Sequence, residues 1–296
     1  MKLIADDAEL ELDPEKGGFI RSLRSAGRDI FHPAKDGLWP YETIGGCFAL
    51  LPYSNRIRGG QFKWHGQRVI LDATDFRTPH ALHGLGWVRP WSVVEAGTSS
   101  VIIGLSVSDS AWPAAFEVRQ LISLFGDRLE MKMTMINRGS IPAPAGMGWH
   151  PWFPKTPGTR LQFSADHVWL TSDPGLPEAK VVIPDQWCFD RPALVGERGL
   201  DHCFGGWKGR CGVSHDTYGC DIEAGPSLGH AVVYTPENAP CFCFEPVSHA
   251  NDPFHSEVKS DGSGLTELAP GERLEASMVI RWAADYSTDG KGETPR

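Results

Sequence analysis

The chain is 296 residues long, 41% hydrophobic and 22% charged, which are ordinary proportions for a globular protein able to bury a sizeable core. Its 37 acidic and 28 basic residues give a net charge of −9 with no basic stripe. That balance argues against nucleic acid or an anionic membrane as partner and toward a neutral or weakly charged small ligand. The opening Met1-Lys-Leu-Ile-Ala-Asp-Asp places acids where a secretory signal needs an unbroken apolar stretch. No later run reaches the roughly 18 apolar residues of a membrane span, so the expected location is the cytoplasm.

Along the chain the dominant period is that of strands. Alternation or short apolar runs occur at Glu9–Leu12, Arg68–Leu71, Val101–Val107, Phe116–Phe125, Ala231–Tyr234 and Glu275–Trp282, separated by Gly, Pro, Asn and Asp. The clearest case begins at Arg128, where Leu129, Met131, Met133 and Met135 alternate with polar residues and predict one buried and one wet sheet face. Gly45-Gly46 and Gly59-Gly60 read as turns or bulges between strands. With 33 glycines and 23 prolines breaking the chain, no long amphipathic helix is predicted. The expected class is all-β, a large antiparallel β-sandwich. It occupies one domain over 1–282, followed by a polar tail over 283–296.

The seven cysteines, at 47, 188, 203, 211, 220, 241 and 243, form no Cys-x-x-Cys pair and predict free thiols rather than a disulfide framework. Cys241 and Cys243 fall on one face of a strand and read as a buried apolar pair rather than a soft metal site. The 11 histidines show no zinc spacing. His249, Asp252 and His255 cluster in sequence, but they read as a turn. No nucleophile elbow and no phosphate-cradling glycine loop appears. Neither metal nor cofactor is expected.

Five polar islands interrupt runs that otherwise read as buried strand: Asn55-Arg56, His83-Gly84, His150-Pro151, Asp201-His202 and Glu245-Pro246. Such groups are costly in apolar surroundings unless paired or used. Their wide separation in sequence requires a sheet that gathers several strands at one cleft.

The segments carrying them are Ser54-Asn-Arg-Ile-Arg-Gly-Gly, Ala81-Leu-His-Gly-Leu-Gly-Trp, Gly148-Trp-His-Pro-Trp-Phe, Leu200-Asp-His-Cys-Phe and Phe244-Glu-Pro. In order and spacing they resemble the motifs of the aldose 1-epimerase (galactose mutarotase) family over most of the chain. The resemblance implies the family's β-supersandwich and cofactor-free interconversion of the α and β anomers of a free monosaccharide. Ring opening of a hemiacetal needs one base for the anomeric hydroxyl and one acid for the ring oxygen. Glu245 suits the first role and His150 the second, with His83 as an additional donor. Asn55 and Arg56 suit hydroxyls further round the ring, and Asp201 suits a vicinal hydroxyl pair. Trp149, with Trp152 and Phe153, is expected as the apolar platform for a sugar face. Trp39, Trp87 and Trp91 are expected in the core or cleft wall, and His80 as a bystander. Two alternatives stand beside this reading. One is a hexose-6-phosphate mutarotase, with Arg21, Arg24, Arg77 or Arg89 forming a cationic pocket. The other is a sugar-binding module without catalysis.

Overall fold

Strict alternation dictates the central strand of the larger sheet. In Arg128–Asn137 the side chains of Leu129, Met131, Met133 and Met135 share one face and are buried, because successive strand residues point to opposite sides. Their neighbours complete an apolar layer, with Leu129, Met131 and Met133 opposite Ile280, Met278 and Ala276 of the Arg273–Ala284 strand. The computed structural model describes residues 1–35, 44–72, 78–172, 175–196, 199–255 and 262–284. Trp39 and Arg77 lie outside these residues.

This strand belongs to a nine-stranded antiparallel sheet. An eight-stranded antiparallel sheet contains, in spatial order, Leu176–Val181, His167–Ser172, Asp201–Gly205, His230–Tyr234, Cys241–Val247, Gly148–Trp149 and Ala49–Leu50, with Trp152–Pro154 also pairing to Cys241–Val247. The two sheets share one hydrophobic core: Val168, Phe204, Val233, Phe242 and Phe244 from the second sheet cluster with the methionine face of the first. A buried hydrogen bond crosses between them, as Trp149 Nε1–H donates to Gln120 Oε1 at 3.1 Å. A four-stranded meander over Lys2–Phe31 forms a further sheet.

The alternation expected from the sequence is recovered throughout: Glu9–Leu12 lies in Ala8–Asp13, Val101–Val107 in Ser100–Val107 and Ala231–Tyr234 in His230–Tyr234. The helical content among the described residues is two single 3-10 turns, Arg58–Gly60 and Asp185–Trp187. No helix among them is long and apolar enough to cross a membrane. One boundary moves. Ala283 and Ala284, assigned by sequence to the polar tail, pair with Gly219 and Tyr218 and extend the last strand. All seven cysteines are free thiols.

For the site, the important surface is the face of the eight-stranded sheet turned away from this core. Parity along Cys241–Val247 decides what stands there. Phe242 and Phe244 point into the shared core. Cys241, Cys243, Glu245 and Val247 must therefore point to the other face, where Cys241 and Cys243 pack with Trp152, and Val247 with Phe48, Leu50 and Trp87.

Candidate active site

Glu245 occupies the middle of a strand whose seven residues are all buried, so its carboxyl is held by backbone on both sides. His150 follows the short Gly148–Trp149 strand, its backbone N–H donating to the Phe48 carbonyl at 2.9 Å. Its ring lies between two aromatic faces, with centroids 4.5 Å from Phe48 and 5.3 Å from Trp152 at interplanar angles of 25° and 27°. The imidazole therefore has little freedom to turn. Its Nε2 stands 3.2 Å from Glu245 Oε1, and both side chains are buried. His150 Nδ1 and Glu245 Oε2 have no partner within the protein.

His83 completes a triangle. Its ring is 5.2 Å from that of His150 at 82°. Its backbone adopts a left-handed φ of 57°, followed by Gly84 at 70°. At Gly84 the conformation is obligatory, because a Cβ there would fall 2.1 Å from the Leu51 carbonyl oxygen. His83 Nδ1 accepts the Asn55 backbone N–H at 3.2 Å. That bond leaves the proton of the neutral ring on Nε2, as a donor.

Asn55 and Arg56 lie beside this cluster. Asn55 Oδ1 accepts from the Arg56 backbone N–H at 2.9 Å and from its Nη1 at 3.3 Å. Arg56 Nη1 also reaches Asp201 Oδ2 at 3.7 Å. A side chain at residue 175 would meet this guanidinium, since a Cβ on Gly175 would lie 2.4 Å from Nη1. Asp201 pairs across strands with Tyr234, which pairs in turn with Cys243, so the Asp201 carboxyl lies on the Glu245 side of the sheet.

Burial sets the charge state of the cluster. It holds the Glu245 carboxyl well above its ordinary range, with the nearby Asp201 carboxylate adding to the shift and Arg56 opposing it. Burial likewise pushes His150 down to about 3. His83 is lowered well below its usual value, first by burial and then by His150 and Arg56. Burial also raises Asp201, against the pull of Arg56 and His202. Burial thus favours the neutral carboxyl and the neutral imidazole over a charged pair, because isolated charges would be poorly solvated there.

Six of the seven residues singled out by sequence, Asn55, Arg56, His83, His150, Asp201 and Glu245, come together. Trp149 does not join them. It is fully buried between the two sheets and bonded to Gln120, on the opposite side of its strand from His150 by the parity of two. Trp152 supplies the aromatic face instead, stacked on His150 and edge-on to Tyr234 at 5.9 Å. Trp149→Phe should therefore leave the affinity for sugar unchanged. It should lower stability by about 1–3 kcal/mol, because Gln120 loses its buried partner, as denaturant titration beside binding measurements will show.

The stretch after Glu245 was legible only as a turn, yet it braces the site. His249 Nε2 accepts the Ser54 backbone N–H at 3.1 Å, and its Nδ1–H donates to the Ala250 carbonyl at 2.7 Å. Asp252 N–H donates to the Arg56 carbonyl at 2.9 Å, and its carboxylate accepts from Arg58 N and Nε at 3.0 and 3.1 Å. His80, expected as a bystander, accepts the Gly59 N–H at 3.0 Å and fixes the same turn. His249 Nε2, the Asp252 N–H and Asp252 Oδ1 are thus committed to the backbone of Ser54, Arg56 and Arg58. The cationic pocket of the phosphate alternative is not assembled from Arg24 and Arg89, which are paired with Asp29 and Asp109.

Fold and cluster together define a mutarotase-like β-sandwich with a buried histidine–carboxyl pair on the outer side of its eight-stranded sheet. The chain belongs to the aldose 1-epimerase family, whose pattern residues 14–281 match. It is 29% identical over 293 residues to the uncharacterized protein YphB of Escherichia coli (strain K12), covering 92% of this chain and 95% of that protein. A crystal structure from Escherichia coli K12, provisionally assigned as an aldose 1-epimerase, superposes with a TM-score of 0.88 at 27% identity and covers 96% and 98% of the two chains. The galactose 1-epimerase of Lactobacillus acidophilus NCFM has the same fold, with a TM-score of 0.76 at 14% identity over 96% and 94% of the chains.

Proposed function

We propose that this protein is an aldose 1-epimerase that interconverts the anomers of a free monosaccharide by acid–base ring opening and closure, without a cofactor. The observation that carries this reading is the buried contact of 3.2 Å between His150 Nε2 and Glu245 Oε1. The anomeric hydroxyl and the ring oxygen of a hemiacetal are bonded to the same carbon, so the two groups that serve them must be neighbours. Glu245 takes the hydroxyl proton while His150 delivers one to the ring oxygen. C1 then turns about the C1–C2 bond, and the ring recloses with the roles reversed. Before the first transfer, the proton that the pair holds at rest on the carboxyl passes to the imidazole. His83 Nε2–H steadies the oxygen charge that develops, and Arg56, Asn55 and Asp201 hold hydroxyls beyond it. The weakly charged lining, in which Arg56 is answered by Asp201, favours a neutral sugar over a phosphorylated one.

Anomer-resolved NMR or polarimetry with freshly dissolved α-glucose, α-galactose and a set of pentoses tests the reading. Faster equilibration of at least one is expected. Binding of these sugars with no acceleration would identify a non-catalytic module instead.

The pH dependence follows from the requirement for one proton on the pair. With unperturbed groups the carboxylate would define the acidic limb and the imidazole the alkaline limb. Burial inverts that assignment. His150 gains its proton only near a value of about 3, which sets the acidic limb. Glu245 loses its proton well above the ordinary 4.5, which sets the alkaline limb. The expected profile is a bell whose acidic limb falls at about 3 and whose alkaline limb lies above the ordinary carboxyl value. His230 and His249 are also kept neutral by burial, with values of about 4. Their contribution to folding is complete above the unfolded value near 6.5 and is lost as pH falls through the folded one. Rates on the acidic side should therefore be recorded beside near-ultraviolet circular dichroism. An alkaline limb at the ordinary carboxyl value would sink the neutral-pair description.

A further inference from the structure

Parity along Cys241–Val247 brings a third donor to the histidine–carboxyl pair. Cys243 lies two residues before Glu245 and projects from the same sheet face. One ligand atom from each of His150, Cys243 and Glu245 lies within 4.8 Å of the other two, and all three residues are buried. Cys241, although on the same face, is not part of this group. We infer that these three side chains form a binding site for a soft divalent cation such as zinc, which inhibits the enzyme by occupying its proton-transfer groups.

Donor chemistry and charge both support this. Imidazole, thiolate and carboxylate are the ligands zinc takes, at about 2.0–2.3 Å in a tetrahedral shell whose donors stand roughly 3.3–3.8 Å apart. The 3.2 Å spacing of Nε2 and Oε1 already matches that edge, and a shift of roughly 1 Å would bring the sulfur to the same spacing. The three side chains leave the fourth position of such a shell to a water. Binding releases two protons, one from the thiol and one from the pair. The ligands then carry two negative charges against the two positive charges of the ion, so the buried site stays neutral. Because the thiol must lose its proton to ligate, metal affinity should rise with pH.

Cation binding is independent of the proposed activity, whereas the inhibition rests on it, so each has its own readout. Cobalt(II) added to the intact protein should bind one ion per chain and give a thiolate-to-cobalt charge-transfer band in the near ultraviolet. Cys243→Ser should abolish that band and Cys241→Ser should keep it. Zinc should slow anomer equilibration at least about tenfold, with full recovery on adding EDTA, while EDTA alone leaves the resting rate unchanged. Cys243→Ser should keep the basal rate and raise the zinc concentration for half-inhibition by about 10–100-fold or more, since loss of an outer-shell partner alone costs that much. No charge-transfer band in the wild type, or equal zinc sensitivity in Cys243→Ser and wild type, overturns the site. A band without any anomerase activity upholds the site and removes only the proposed function.

Discussion

Glu245→Gln should reduce turnover by about 10²–10⁴-fold, the span typical of a lost general acid–base group, while sugars still bind. The amide keeps the shape of the carboxyl and can donate to His150, but it can neither accept the anomeric proton nor share one across the 3.2 Å contact. The substitution should also stabilise the fold slightly at alkaline pH. There the native carboxyl must ionise in a site whose burial opposes it, and the neutral amide escapes that cost. Turnover within a few-fold of wild type in NMR exchange measurements would remove Glu245 from the reaction.

His150→Asn should depress turnover by a similar factor, about 10²–10⁴, with a smaller change in KM. His83→Asn should behave differently. In the proposed reaction the His83 Nε2–H steadies the developing oxygen charge, and its ring also receives the Asn55 N–H at 3.2 Å, so its loss should disturb both that charge and the Asn55 loop. We expect turnover to fall by roughly 10² with KM rising at the same time. The split between the two parameters is the diagnostic. Small and equal effects from both changes would make these histidines structural.

The strands were legible because one physical rule governs them: an apolar residue every second position predicts a face, and the Leu129–Met135 face is buried as the alternation demands. The six residues of the cluster were legible for the opposite reason, as polar groups at places where that rule should have given apolar ones. The same rule, carried further, would have found more. Trp149 and His150 are consecutive, so a strand cannot turn both to one side, and the aromatic face beside His150 comes from Trp152. Glu245 and Cys243 are two apart, so the parity that paired the cysteines already placed a thiol beside the carboxyl. Other features could not be read locally. The roles of His249 and Asp252 depend on backbone atoms of Ser54 and Arg56, and nothing near them in sequence indicates those partners. The charge state of the Glu245–His150 pair is likewise a product of burial by distant segments, which inverts the order in which the free groups would titrate.

The brace from His249 and Asp252 also dates the site within the life of the molecule. Its bonds to Ser54 and Arg58 close loops of 195 and 194 residues, among the most expensive to close and the last to be rewarded during folding. On the ribosome, Asn55, Arg56 and His83 emerge early and wait unsupported until the strand bearing Glu245 and the turn behind it have left the exit tunnel. No nascent chain that ends before residue 252 can form the whole of this brace. A truncation before residue 252 should therefore keep most of the strands while leaving the turn at Arg58 without its carboxylate brace, so that closure of the sandwich is complete only when the far end of the chain arrives.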